Sequence, residues 1–414
     1  DVWRLCPEGV SLTAASAAIP MPLVHTVELN AATVDTDTGP HLHANWTWAP
    51  SALDHAATTR LSRLWFEALA GFCAHVRSGG GGLTPSDIAP ARLSQQQIDE
   101  LHQQYTIADV LPLTPLQQGL LFHASTAQGS DDVYAVQLDI TVTGPLDPHR
   151  LRDALHTVVN RHPNLGARFC DQFDEPVQII PADPMAPWRY VDLDAGGVDV
   201  DEQIQGVCAA ERAAVGELAD QPAVRAALIR TAEDRHRLVL TNHHIVMDGW
   251  SMPILLREIF ASYHGQRLPA AGSYRGFVTW LAGRDREAAH AAWREVLAGF
   301  DTPTLVGPPG RLGLGRRGVE SLRVPQETTR ALGELARSCH TTVSIVLQGA
   351  WAQLLMWLTG QHDVAFGTAV SGRPAEVAGA ESMVGLFINT VPVRARITPA
   401  TTIADLLDQL QSVH

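Results

Sequence analysis

A mixed α/β chain built as two similar-sized lobes is predicted by three observations. Apolar residues alternate between helical and strand spacing from about residue 108 to 265, and again from about 270 to 414. At 414 residues the chain can bury roughly two to three domains' worth of core. The four glycines Gly79 to Gly82 form a flexible break and mark the best domain boundary.

Before that break, the stretch from Val24 to Asn30 reads as a short strand. His41 to Trp48 alternates strictly, with Leu42, Ala44, Trp46 and Trp48 on one face and His41, His43, Asn45 and Thr47 on the other. Two tryptophans are thus expected in a core. His41 and His43 share a face, but no third metal ligand accompanies them, so solvated strand histidines are expected. Asp54 to Val76 is an amphipathic helix whose stripe Leu61, Leu64, Trp65, Ala68 and Phe72 is expected to pack in a core.

After the break, Ser94 and Gln97 form a capping box for a short helix carrying Ile98 and Leu101. A second helix starts at Thr114 with Pro115 in its first position. Val133 to Thr143 alternates as a strand. Asp147-Pro148 caps a helix whose buried stripe is Leu151, Leu155, Val158 and Val159. Ala167-Arg168-Phe169 opens a strand. Ala209 to Ile229 is Ala-rich and reads as helix, broken near Gln221-Pro222. Leu238 to Asn242 is a buried strand, and a helix follows from about Met252 to Tyr263. Tyr274, Phe277 and Trp280 share a helical face, and Ala288 to Leu297 is helical. Thr302 to Arg317 is an exposed Gly/Pro-rich loop with a basic tip at Arg316-Arg317. Val319 to Val324 reads as a strand, Gln326 to Ser338 and Thr342 to Trp357 as helices, and Asp363 to Thr368 as a strand. Val384 to Val393 reads as an apolar strand interrupted by Asn389, and a last helix begins near Ile403.

Composition excludes several classes. A net charge of −14 argues against a nucleic-acid binder, which needs a basic footprint. No apolar run reaches membrane-spanning length, and the first residues lack a signal-peptide pattern, so a cytoplasmic location is expected. The five cysteines, Cys6, Cys73, Cys170, Cys208 and Cys339, are scattered and odd in number; reduced thiols are expected.

The chemistry-bearing stretch is His243-His244-Ile245-Val246-Met247-Asp248-Gly249-Trp250-Ser251. A strand that delivers two histidines into a turn closed by glycine can present one imidazole at a cavity wall, and imidazole exchanges protons near neutral pH. Such a pair is more often a satisfied core or surface pair. The spacing to Asp248-Gly249 and four further motifs raise it above that. These are Thr114-Pro115-Leu116-Gln117-Gln118-Gly119, Arg161-His162-x-x-Leu165 before Arg168-x-Phe169, the Tyr274/Phe277/Trp280 helix, and Val384-Gly385-x-Phe387-Ile388-Asn389-Thr390.

In this order the motifs resemble those of condensation domains of nonribosomal peptide synthetases. The resemblance implies two chloramphenicol-acetyltransferase-like lobes in a V around a central tunnel, with the second lobe truncated at the C-terminus because the chain ends soon after the Asn389 motif. It divides the chain into 1–77, similar to the C-terminal strands and helix of a preceding epimerization-type domain; 78–107, a linker with a short helix; 108–268, the N-terminal lobe; and 269–414, an incomplete C-terminal lobe. The run from Pro115 to His123 resembles the subclass that takes a D-configured donor and an L-configured acceptor.

The implied reaction is attack of a carrier-bound aminoacyl amine on a carrier-bound peptidyl thioester. No cofactor is expected to bind directly; substrates would ride on the 4'-phosphopantetheine of upstream and downstream carrier-protein domains. Adjacent epimerization and adenylation domains are the other expected partners, with no nucleic acid and no membrane. His244 is expected to supply the catalytic imidazole and His243 to support the turn. The resemblance implies that Asp248 is structural and pairs with Arg373 as a bidentate ion pair between lobes. Gly249 provides space, and Trp250, Ser251 and Asn389 line the substrate tunnel. Pro163-Asn164 departs from the usual pattern with no functional consequence expected. Competing readings are an epimerization or ester-forming relative, for which Glu376 and Glu381 lack a matching motif, and an idle scaffold that only docks carrier proteins. An isolated fragment of such a domain can also be inactive.

Overall fold

The computed structural model describes residues 25–36, 39–78, 81–126, 134–193, 200–307 and 318–412. The chain divides between Gly82 and Leu83, at the end of the glycine run, into two compact units.

In the first unit, β1 (Val27–Thr36) pairs antiparallel with β2 (Gly39–Trp48), followed by α1 (His55–Arg77). The carboxylate of Asp54 caps α1 by accepting from the Ala57 amide at 2.7 Å. The strand alternation is present, but Trp46 and Trp48 are only half-buried and Leu42 is exposed. The core expected on α1 is not formed. Trp65 meets Trp46 edge-on at 6.1 Å, while Leu61, Leu64 and Phe72 stay exposed, Phe72 by 69%. A two-stranded hairpin has too little face to cover a 23-residue helix. His41 and His43 are exposed, and no three metal-ligating groups converge among the described residues.

The second unit opens with residues expected to be a linker, and here the structure differs. Ile88, Ile98 and Leu101 are fully buried against β3 (Ile107–Pro112) and β6 (Val177–Pro181), so 88–101 is part of the folded body. The Ser94–Gln97 capping box starts α2 (Gln95–Gln104) as its sequence dictates. Strands β3, β6 and β5 (Arg168–Cys170) form one antiparallel sheet in the order β3-β6-β5. The larger sheet has the order β4 (Ala135–Thr143), β9 (Arg235–His243), β8 (Val224–Ala232), β7 (Trp188–Asp192), with only the β7–β8 pair parallel.

Helices α3 (Pro115–Thr126), α4 (Pro148–Arg161), α5 (Val200–Ala214) and α6 (Ser251–Tyr263) accompany these sheets, and α4 packs against α6. The stripe Leu151, Leu155, Val158 and Val159 is buried as its period requires. The helix expected over Ala209 to Ile229 extends only to Ala214. From Val224 the chain is a strand buried between β7 and β9, and a short run apolar on both faces has no period to separate strand from helix.

Beyond α6 lie α7 (Tyr274–Ala282), α8 (Arg286–Val296), α9 (Gln326–Ser338), α10 (Val343–Thr359), the antiparallel pair β10 (Asp363–Val370) and β11 (Asn389–Arg396), and α11 (Ile403–Ser412). Two sequence expectations fail here. Val319 to Val324 makes no strand and is exposed, Leu322 by 87%. Val384 to Ile388 is irregular, and the strand begins only at Asn389. The expected basic tip Arg316-Arg317 lies outside the described residues.

The main core crosses the anticipated lobe boundary. Tyr274, Phe277 and Val278 of α7, with Met383, Val384, Leu386 and Phe387, belong to the same apolar cluster as Leu155, Leu228 and Leu240. A smaller core joins α9, α10, α11, β10 and β11. The four described cysteines are free thiols. Among the described residues no single helix is long and apolar enough to cross a membrane.

Leu228 sits fully buried within the four-stranded sheet, on the strand between β7 and β9. Leu228→Ala is expected to cost about 2–5 kcal/mol, measured as a lowered midpoint in urea unfolding followed by circular dichroism.

Candidate active site at the end of the central strand

Strand β9 runs between β4 and β8, so its C-terminal end is held from both sides. The His243 amide donates to the Ala223 carbonyl at 2.8 Å and the His244 amide to the Tyr134 carbonyl at 2.9 Å. From α3, the buried Gln117 side chain donates to the Ile245 carbonyl at 2.8 Å while its oxygen accepts from the Thr114 amide at 2.9 Å. The Thr114–Gly119 motif and the histidine turn are therefore one construction. Sequence reasoning missed the role of Gln117; its capping-box spacing from Thr114 was the available signal.

The two imidazoles are set differently. Nδ1 of the buried His243 accepts from the Ile245 amide at 3.0 Å, so in the neutral ring the proton sits on Nε2. His244 is half-buried, and its Nδ1 lies 3.1 Å from the Met247 carbonyl. A carbonyl only accepts, so Nδ1 carries the proton and Nε2 is the acceptor of the neutral ring.

Asp248 is 2% exposed, and its carboxylate is spent on other groups than the imidazoles. Its Oδ1 accepts from the Ser251 amide at 2.9 Å and the Ser251 hydroxyl at 2.8 Å. Its Oδ2 accepts from the Phe387 and Ile388 amides at 3.0 and 3.3 Å. Its own amide donates to the Gly385 carbonyl at 3.1 Å. These bonds explain why 384–388 is no strand: its backbone groups are used by other elements. Asn164 Nδ2 adds a bond to the Val384 carbonyl at 3.0 Å, and the Tyr274 hydroxyl one to the Leu386 carbonyl at 3.3 Å. Burial pushes the Tyr274 phenol well above its ordinary range, keeping it a neutral donor. Asn164, expected to have no consequence, thus helps hold the segment.

Arg373 lies 3.4 Å from Asp248 Oδ1 through Nη2 alone, which corrects the expected bidentate pair. The fork is spent elsewhere. Nη2 donates to the Ser251 hydroxyl at 2.9 Å, and Nη1 to the carbonyls of Ala380 and Met383 at 2.5 and 2.9 Å. The guanidinium also covers the Phe387 ring at 4.1 Å. Burial pulls its pKa below the ordinary arginine value, opposed by the Asp248 charge.

Ser251 is fully buried and cannot line a tunnel. Its hydroxyl accepts from Arg373 and the Gly385 amide and has one proton for Asp248 Oδ1 or the Gly385 carbonyl. Trp250 is 65% exposed, and Asn389 is exposed, accepting from the Thr390 amide at 2.9 Å. A Cβ on Gly249 would meet no atom within 4 Å, and Gly249 has no positive φ, so nothing in the fold itself demands glycine there. Gly372 differs: a Cβ there would lie 2.0 Å from the Phe387 carbonyl oxygen.

The Arg161-His162 motif is structural. Arg161 Nε and His162 Nε2 meet Glu258 Oε2 at 3.1 and 2.9 Å, joining α4 to α6. Burial pushes the Glu258 carboxyl up, but the hydrogen bonds and charges of His162 and Arg161 outweigh it and hold it below the ordinary carboxylate range.

The family model for the condensation domain matches residues 107–413. A linear gramicidin synthase protein of Brevibacillus parabrevis is 36% identical over 90% of this chain, and bacitracin synthase 3 of Bacillus licheniformis is 36% identical over 79%. The chain spans only 5% of the length of each. Among solved structures, the first condensation domain of the calcium-dependent antibiotic synthetase, in complex with a substrate analogue, is 25% identical, with a TM-score of 0.57 over 73% of this chain and 74% of that one. The chain belongs to the condensation-domain family of nonribosomal peptide synthetases, acyltransferase-type enzymes that form amide bonds.

Asp248→Ala would strand the Phe387 and Ile388 amides and leave Arg373 without its counter-charge. It is expected to cost about 3–5 kcal/mol in urea unfolding, and Asp248→Asn, which keeps one acceptor, measurably less. For Glu258, the folded-state pKa lies below the unfolded one. Its contribution is therefore present above the unfolded carboxylate value, about 4.3, and is lost as pH falls through the folded value. The stability gap between wild type and Glu258→Gln should be largest at neutral pH and shrink below about pH 4.3 when unfolding is titrated in denaturant across that range.

Proposed function

We propose that this chain joins a carrier-bound peptidyl thioester to the amine of a carrier-bound aminoacyl acceptor, with His244 at the reacting nitrogen. The observation that carries this reading is the locked tautomer of His244: Nδ1–H is held by the Met247 carbonyl, so Nε2 of the half-buried ring keeps its lone pair. The amine attacks the thioester carbonyl, His244 Nε2 takes the proton released as the carbon–nitrogen bond forms, and the adduct collapses with loss of the thiolate. The imidazolium so formed donates more strongly to the Met247 carbonyl than the neutral ring does. No covalent enzyme intermediate is needed, because a neutral amine is already a competent nucleophile. His243, turned to the Ile245 amide, supports the turn. Gly249 keeps open a space that no protein atom fills, which suits a substrate passing over the turn.

The finer reading is a tunnel between two lobes set in a V, with a donor D-configured at its last residue. Three features support it: the Pro115–His123 run, the hairpin-and-helix unit at 25–78, and an alignment with the linear gramicidin synthase protein that extends well before the family match at residue 107. In that reading, residues 1–77 are the tail of an epimerization-type domain, and carrier proteins present both substrates on phosphopantetheine in the cytoplasm. Glu376 and Glu381, the acids an epimerization reading would need to recruit, are both exposed.

The test loads two carrier proteins and follows dipeptidyl thioester by mass spectrometry. Wild type is expected to form product, and His244→Ala to lose about 100-fold or more of the rate. A donor with a D residue should be used in preference to its L epimer. Full turnover by His244→Ala would remove His244 from the chemistry, and an inverted stereocentre without a new amide would replace condensation by epimerization.

A further inference from the structure

Beside the Asp248 node lies a pocket of about 340 Å³. Its wall takes Leu116 from the start of α3, Phe277, Trp280 and Leu281 from α7, and Leu386 and Ile388 from the irregular segment. We propose that this pocket holds the apolar or aromatic side chain of one of the two residues being joined, and that Leu281 and Trp280 set its size. The proposal rests on the amide-forming reading of the His244 turn.

Volume comes first. Small-molecule sites run from about 300 to 1,000 Å³, so this pocket takes one side chain rather than a peptide. Polar chemistry comes second. No carboxylate lines it, and its polar side chains are largely committed: Thr114 to the Gln117 amide, Asn389 to the Thr390 amide, and Arg373 to Asp248, Ser251 and two carbonyls. A cationic side chain would lose its hydration there and meet no carboxylate. Among the described residues two buried donors of lining residues have no acceptor, the Trp280 indole N–H and the Arg373 Nε–H, so the polar tip of an aromatic side chain can be accepted there while its body packs on the apolar wall. Placement comes third. Leu386 and Ile388 flank Phe387, and the Phe387 and Ile388 amides hang on Asp248, in the same turn as His244. The pocket and the reacting imidazole are therefore referenced to one carboxylate.

Binding reads the pocket without turnover. Non-hydrolysable pantetheine amides of alanine and phenylalanine are titrated calorimetrically into the 414-residue chain. One pair has a free amine, as an acceptor would, and the other an N-acetyl group, as a donor would. In one of these two pairs the phenylalanyl analogue is expected to bind about tenfold tighter or more. Filling the pocket with Leu281→Trp, or with Leu116→Phe should the first variant unfold, is expected to bring that ratio within about twofold, and Trp280→Ala to shift it again. Equal affinity for alanyl and phenylalanyl analogues in both pairs, or a ratio unmoved by all of these variants, overturns the proposal. Selective binding in a chain that makes no amide from loaded carriers would overturn the functional reading while leaving the pocket a side-chain site.

Discussion

The arrangement depends on one buried carboxylate. Asp248 is removed from water, and an ionised carboxylate in that position is tolerable only where donors surround it. The structure supplies them from three places: the Ser251 amide and hydroxyl at the start of α6, the Phe387 and Ile388 amides, and the Arg373 guanidinium. The donors come from three stretches of chain, so satisfying the charge draws those stretches together. The irregular 384–388 backbone is the clearest consequence. Its amides and carbonyls are spent on Asp248, Ser251, Asn164 and Tyr274, which leaves them unavailable for a sheet ladder.

Around that centre the histidine turn is held from several sides. In its proposed role His244 must keep one tautomer and one direction, and the Met247 carbonyl imposes the first. The direction comes from the central strand, fixed on one side by Ala223 and on the other by Tyr134, and from Gln117, which reaches across from α3. Motifs spread over more than two hundred residues thus share one hydrogen-bonded network.

Much of the site was readable in one dimension because its parts are local. His243, His244, Asp248 and Gly249 occupy a single turn after a strand of plain apolar character. The helix starts at Ser94, Thr114 and Asp147 are likewise written in residues next to the groups they cap. What could not be read was the use made of backbone by distant side chains. The family resemblance puts Ser251 in a tunnel wall, yet it is a fully buried cross-link to Gly385 and Arg373. Asn164 carries no local sign of its bond to Val384. Nothing in sequence counts the carbonyls of Ala380 and Met383 that compete for the Arg373 donors and leave it a single contact with Asp248.

The sequence by itself determined the α/β class, most helix starts, the break at the glycine run, and the residues of the histidine turn. These depend on periodicity, capping and backbone freedom, which act over a few neighbouring residues. Only the tertiary structure decided whether 224–229 is helix or strand, that 88–101 is folded body rather than linker, that the α1 stripe is left uncovered within its unit, and which atoms neutralise Asp248. Those outcomes turn on which surfaces are brought together. Burial and hydrogen-bond satisfaction are properties of pairs of segments, and a run of apolar residues carries no mark of what will lie against it.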